Sequence, residues 1–163
     1  VNANEFFLRL QDTGLGRTIS ESAIVFPWIE SIHVLAITFV VGSIAIVDLK
    51  LLGLASRNDT IARMTREVVP WTVAAFGIAA VSGSLLFVSA AARYWDNGFF
   101  RAKLLLLLAA GLNMLVFHCV TGRDTAKWDV GVQPPTAARV AGGVSLAFWV
   151  LIVVCGRWVG FTL

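Results

Sequence analysis

Polar and apolar residues along this chain are sorted into long blocks. They are not interleaved at the two-residue step of a half-buried strand or the three-to-four-residue step of a soluble helix. Four blocks approach the ~20 apolar residues a helix needs to cross ~30 Å of hydrocarbon. They predict transmembrane helices at about 24–47, 68–92, 103–122 and 138–158. The stretch Ser31–Val47 has no charge, and neither does Val68–Ala92. One such helix can be buried in a soluble domain. Four in 163 residues leave no polar surface to keep a domain in water. The blocks are continuously apolar, without two-residue alternation, which selects helices over barrel strands. The expected fold is all-α: one membrane domain, residues 1–163, built as a four-transmembrane-helix bundle.

The block ends carry helix signals. Pro70 suits the first turn of the second helix, where no N–H is needed. Asn97-Gly98 reads as a tight turn between the second and third helices. Pro134-Pro135 breaks the last connection, with Thr136 as N-cap of the fourth helix, and Pro27 falls near the start of the first. Within residues 1–22, Phe6, Phe7 and Leu10 share one helical face. A short helix lying in the membrane interface is expected there, with Gly14 and Gly16 freeing the chain to turn inward.

Composition sharpens this picture. Hydrophobic residues make up 58% and charged residues 14%, and mean hydropathy is +0.80. Soluble domains carry about 25% charged residues. The net charge of +3 suits an anionic lipid surface, and the scattered basic residues exclude a nucleic-acid interface. The lipid bilayer is the expected partner, with a homo-oligomer or a membrane complex as further expectations. No basic start followed by an apolar core marks a cleavable signal peptide, and Val1 reads as a translated alternative start codon. Cys119 and Cys155 fall toward opposite membrane faces, which argues against a disulfide.

Four crossings bring both termini to one face, here called the near side. The first connection on the far side holds Lys50, Arg57, Arg63 and Arg66, which points that side to the cytoplasm and the termini to the periplasm. Trp28, Trp71, Trp95, Trp128 and Trp158 fall near block ends, as an aromatic belt requires.

Ionisable groups inside a bilayer are expensive, so each is a candidate site. Glu30 and His33 lie three residues apart on one helical face, and Asp48 follows five turns later on that face. Lys103, Asn113 and His118 belong to the third helix, and Arg139 and Arg157 flank the fourth. The plain reading is two polar clamps: Glu30 with Arg157 or Lys103 on the near side, and Asp48 with His118, Arg123 or Arg139 on the far side. The two histidines also invite a bis-histidine haem b. Their positions along parallel helices differ by roughly 8 Å at ~1.5 Å per residue, which fits poorly with one shared iron. A haem with one histidine, one shared between subunits, or a metal on Glu30 and His33 stays open. On the second helix Gly77, Ala80, Gly83 and Ser84 form a small-residue face for close packing within the bundle or across a dimer, as Gly142 and Gly143 do on the fourth.

The run Glu30-Ser31-x-His33, then Gly42-Ser43 and Asp48-Leu49-Lys50-Leu51-Leu52-Gly53, resembles a group of uncharacterised bacterial four-helix membrane proteins. Lys103-Leu104 with Asn113 and His118, and Ser145-Leu146-x-x-Trp149 with Gly156-Arg157, are similar to the later helices of that group. The resemblance implies a bacterial inner membrane, multi-pass, and no particular activity. The stretch Lys103 to Asn113 is also similar to CopD-like membrane domains, but only Met64 and Met114 are present and no methionine-rich copper motif accompanies them. No nucleophile motif, phosphate loop or nucleotide fingerprint suggests an enzyme. The sequence reads as a small accessory or structural membrane subunit. A haem- or metal-binding redox protein using His33 and His118 is the first rival. A small-solute or proton transporter using Glu30, His33 and Asp48 is the second.

Overall fold

The computed structural model describes residues 3–54, 61–121 and 134–163. They form α1 (Ala3–Gln11), α2 (Gly14–Glu21), α3 (Val25–Leu51), α4 (Ile61–Ser89), α5 (Ala91–Asp96), α6 (Gly98–Val116), a π-helical turn at Phe117–Thr121, and α7 (Thr136–Thr162). No strand occurs among the described residues. Four helices, α3, α4, α6 and α7, are long and apolar enough to cross a membrane. The chain is an all-α, multi-pass membrane protein.

The longest interface joins α3 and α4. On α3 the residues of one seam turned from the surface are Phe26, Ile29, His33, Ala36, Val40, Ser43, Val47 and Lys50. On α4 the corresponding seam is Val68, Thr72, Ala75, Ala79, Ser82, Leu86 and Ser89. Both sets advance by alternating steps of three and four, the spacing that keeps one helix seam against another. Two hydrogen bonds fix the antiparallel register. His33 meets Ser82, and ten residues further along α3 Ser43 meets Thr72, ten residues back along α4. The predicted small face of α4 is therefore displaced: Gly77, Ala80 and Ser84 are exposed, and Gly83 alone sits under a neighbouring side chain. Small residues occupy two faces of α4, and composition cannot say which one packs. Pro70 lies well inside α4 and not in its first turn, because the helix begins before the apolar block does.

The helices pack in the order α4, α3, α7, α6. At the far side Gly142 brings α7 onto α3: a Cβ there would lie 2.9 Å from Leu51 Cβ and 3.1 Å from the Asp48 carbonyl oxygen. Asn113 Nδ2 donates to the Ala141 carbonyl at 3.0 Å and Asn97 Nδ2 donates to Thr162 Oγ1 at 2.8 Å, tying α6 to α7 at both ends. Asn97 is also the N-cap of α6, accepting from Phe99 and Phe100 N–H at 3.0 and 3.2 Å, where the sequence suggested a simple turn. At the near side the ring of Phe87 on α4 stacks on Phe100 of α6 at 5.3 Å. The amino-terminal segment is two helices. In α1, Phe7 packs on Phe87 and Trp95, and Gln11 Oε1 accepts the Ala92 N–H at 3.2 Å. In α2, Ile19 is buried against the bundle.

Candidate functional site in the membrane interior

The α3–α4 seam places His33 where a coiled pair expects an apolar residue. Its imidazole lies over Gly83, where an added Cβ would come within 2.8 Å of Cε1. Its Nδ1 is 3.0 Å from Ser82 Oγ. That hydroxyl donates to the Ile78 carbonyl at 2.7 Å, so it is free to accept and His33 Nδ1–H is the donor. Lys103, half-buried on α6, reaches toward the same level: its charge acts on His33, and its Nζ would be 3.6 Å from a Cβ on Gly156 of α7.

At the far side Asp48 is only 4% exposed. Ser145 of α7 hydrogen-bonds its carboxylate, and Oδ2 is buried without a hydrogen-bond partner. Lys50, 7% exposed, lies two residues on, about 200° around the helix, on the α4 seam. Its Nζ is likewise buried with no hydrogen bond. Lone Coulomb and hydration terms make such groups costly, since a buried charge is normally paired or neutralised.

The predicted clamps do not form among the described residues. Glu30 is exposed and has no ion-pair partner there; its negative charge acts on Tyr94. Arg157 lies over the Phe161 ring at 4.6 Å, a cation–π contact. Arg139 is exposed, and Arg123 falls outside the described residues. Of the eight sequence candidates, His33 is held by Ser82 of α4 and Lys103 lies along Gly156 of α7. Asp48 gains Ser145, and Asn113 serves α6–α7 packing.

His118 is exposed, in the π-helical turn, with Nδ1 3.0 Å from the Met114 carbonyl of its own helix. It stands fifteen residues beyond Lys103, roughly 22 Å at ~1.5 Å per residue, and Lys103 is level with His33. The two histidines are therefore much further apart in depth than the block ends suggested, because α6 starts at Gly98. No group of three metal-ligating side chains occurs among the described residues. Sequence reading missed Ser82 as the partner of His33 and Lys50 as a buried cation. The three-four spacing of the seam was the available signal for both.

No curated protein and no solved structure matches the chain. One family match covers residues 12–162, nearly the whole length and all four spanning helices. The chain belongs to DUF6644, a family of unknown function.

Proposed function

We propose that this protein takes up protons, or small monovalent cations, within the membrane and carries them across it, with Asp48 as the binding group. One observation carries the reading: a carboxylate 4% exposed, with one oxygen unpartnered and no cationic side chain within ion-pair distance among the described residues. Ionised carboxylate in such a place costs several kcal/mol, and a proton or a cation removes that cost. A scaffold gains nothing from leaving it uncompensated. The Ser145 hydroxyl supplies one fixed hydrogen bond and leaves the second oxygen for the traveller. We place the protein in a bacterial inner membrane with the far side at the cytoplasm, on Arg57 in the first far-side connection and Arg63 and Arg66 in the first turns of α4.

The test is proton flux in proteoliposomes carrying an internal pH dye, with Asp48→Asn beside the wild type. Wild-type flux well above empty vesicles, lost in the variant while the fold is kept, supports the reading. Equal flux in both proteins, or none in either, rejects it. A structural or accessory role is the second reading, favoured by the Asn113 and Asn97 hydrogen bonds that only join helices. Under it Asp48→Asn changes thermal stability and no transport is measurable.

A further inference from the structure

We propose that the outer face of the α3–α4 pair binds a phospholipid with a zwitterionic, primary-ammonium headgroup, its acyl chains in the groove between the helices and its headgroup at Glu67. The site is separate from Asp48 and does not depend on the reading above.

Helix phase sets the face. Phe39, Gly42 and Ile46 each stand one position before the seam residues Val40, Ser43 and Val47. Asp48 and Leu51, which meet α7, each stand one position after Val47 and Lys50. At ~100° per residue the two sets flank the seam on opposite sides of α3. Glu67 and Trp71 stand one position before Val68 and Thr72 on the antiparallel α4, which puts them along the same outer edge, away from α7.

Along that edge the helices leave a groove of about 430 Å³ between Thr38, Phe39, Gly42 and Ile46 of α3 and Glu67 and Trp71 of α4. A second hollow, of about 470 Å³, continues it toward the near side. Ile32, seven residues before Phe39, and Ile78, seven after Trp71, line it. Each hollow has the size of an ordinary ligand site, roughly 300–1,000 Å³. Gly42 keeps the first one open, since a Cβ there would meet nothing within 4 Å. Both lie on spanning helices, so hydrocarbon chains meet them in a bilayer.

The far-side mouth selects the headgroup. Trp71 is exposed there, near the start of the α4 span, at the depth where aromatic rings meet headgroups. Glu67 lines the mouth and is exposed, and Arg63 Nε donates to its Oε1 at 2.9 Å. Arg66, exposed one residue before Glu67, adds a cation for the phosphate. Acid and base side by side complement a headgroup that carries both signs. A primary ammonium donates charge-assisted hydrogen bonds to the carboxylate, and a quaternary ammonium has no N–H to donate. A headgroup with phosphate alone meets Glu67 as a like charge.

The test uses full-length protein in phosphatidylcholine vesicles. A fixed fraction of the lipid is replaced by dibrominated phosphatidylethanolamine, phosphatidylcholine or phosphatidylglycerol. Bromine quenches indole fluorescence on contact, and the Trp71 share is the wild-type signal less that of Trp71→Phe. Brominated phosphatidylethanolamine should quench Trp71 as though enriched roughly two- to fivefold over brominated phosphatidylcholine, the worth of an exposed ion pair. Glu67→Gln should cancel that enrichment. Gly42→Leu, which the open space accepts, should cancel it by filling the groove while the melting temperature is kept. Equal quenching by all three lipids overturns the proposal, as does an enrichment that survives Gly42→Leu. Strongest quenching by brominated phosphatidylglycerol overturns it in favour of an anionic lipid. Trp71 shielded from every brominated lipid overturns it in favour of a second copy on this face.

Discussion

Tyr94 is the chain's single tyrosine, so its titration can be read without overlap. It lies outside the spanning helices, and burial pushes its phenol above the ordinary value, with Glu30 adding to the rise and Arg93 opposing it. From about pH 10 upward the unfolded chain gives up this proton first. The unfolded state then binds fewer protons, so stability falls with rising pH until the folded phenol also titrates. We expect a tyrosinate absorbance midpoint above about 10 in the folded protein, moved downward by Glu30→Gln. A midpoint at the ordinary value that ignores Glu30→Gln would remove Glu30 from the neighbourhood of Tyr94. At His33 a double-mutant cycle is informative. Gly83→Ala forces the ring off its seat and should cost about 1–3 kcal/mol. In a His33→Ala background the same change should cost far less, since the clash is gone. Additive costs, from detergent melts of the four proteins, would show that the ring does not rest on Gly83.

At the scale of helices, caps and close approaches decide stability. Asn97 satisfies two N–H groups at the start of α6 and holds Thr162 at the end of α7. Asn97→Ala should destabilise the protein by roughly 1–2 kcal/mol, the range of a lost cap. Thr162→Val should lose only the interhelical part, and the difference between the two melting shifts apportions them. Gly142 and Gly77 offer a sharper contrast. Gly142 meets Leu51 and the Asp48 carbonyl, whereas Gly77 has open space around it. Gly142→Leu should separate α7 from α3 and lower the melting temperature severely, and Gly77→Leu should be tolerated. Equal tolerance would contradict the α3–α7 contact.

For the whole molecule, four crossings require both termini on one face, with the α3–α4 and α6–α7 connections on the other. Single cysteines introduced at Leu54 and Pro134 in a cysteine-free background should be labelled from the same side, and one at Phe161 from the opposite side. Labelling of Leu54 and Pro134 from opposite sides would break the four-helix topology. The packing order α4, α3, α7, α6 also explains why α6 buries little of itself: Ala110 is its one fully buried residue among those described. Most of its surface, including Leu105, Leu108 and Leu112, meets lipid or a partner. Leu108→Ala should therefore leave stability nearly unchanged.

The sequence alone determined that the chain is helical and crosses a membrane four times. Both follow from composition within each block, because hydrocarbon accepts only long apolar segments with internally satisfied backbones. It also supplied the residues with chemistry, since charge inside an apolar block stands out without any structure. Who meets whom was decided by tertiary packing. Lipid-facing and helix-facing positions are equally apolar in a membrane, so hydrophobic pattern cannot orient a helix about its axis, and of Gly77, Ala80, Gly83 and Ser84 on α4 only Gly83 meets a neighbouring helix in the bundle. Register then sorted the polar groups. It set His33 on Ser82 and level with Lys103, left Glu30 exposed, buried Lys50 on the seam, and carried His118 to the far end of α6. Side-chain depth depends on where each helix begins, and the starts of α4 and α6 lie beyond the apolar blocks that announced them.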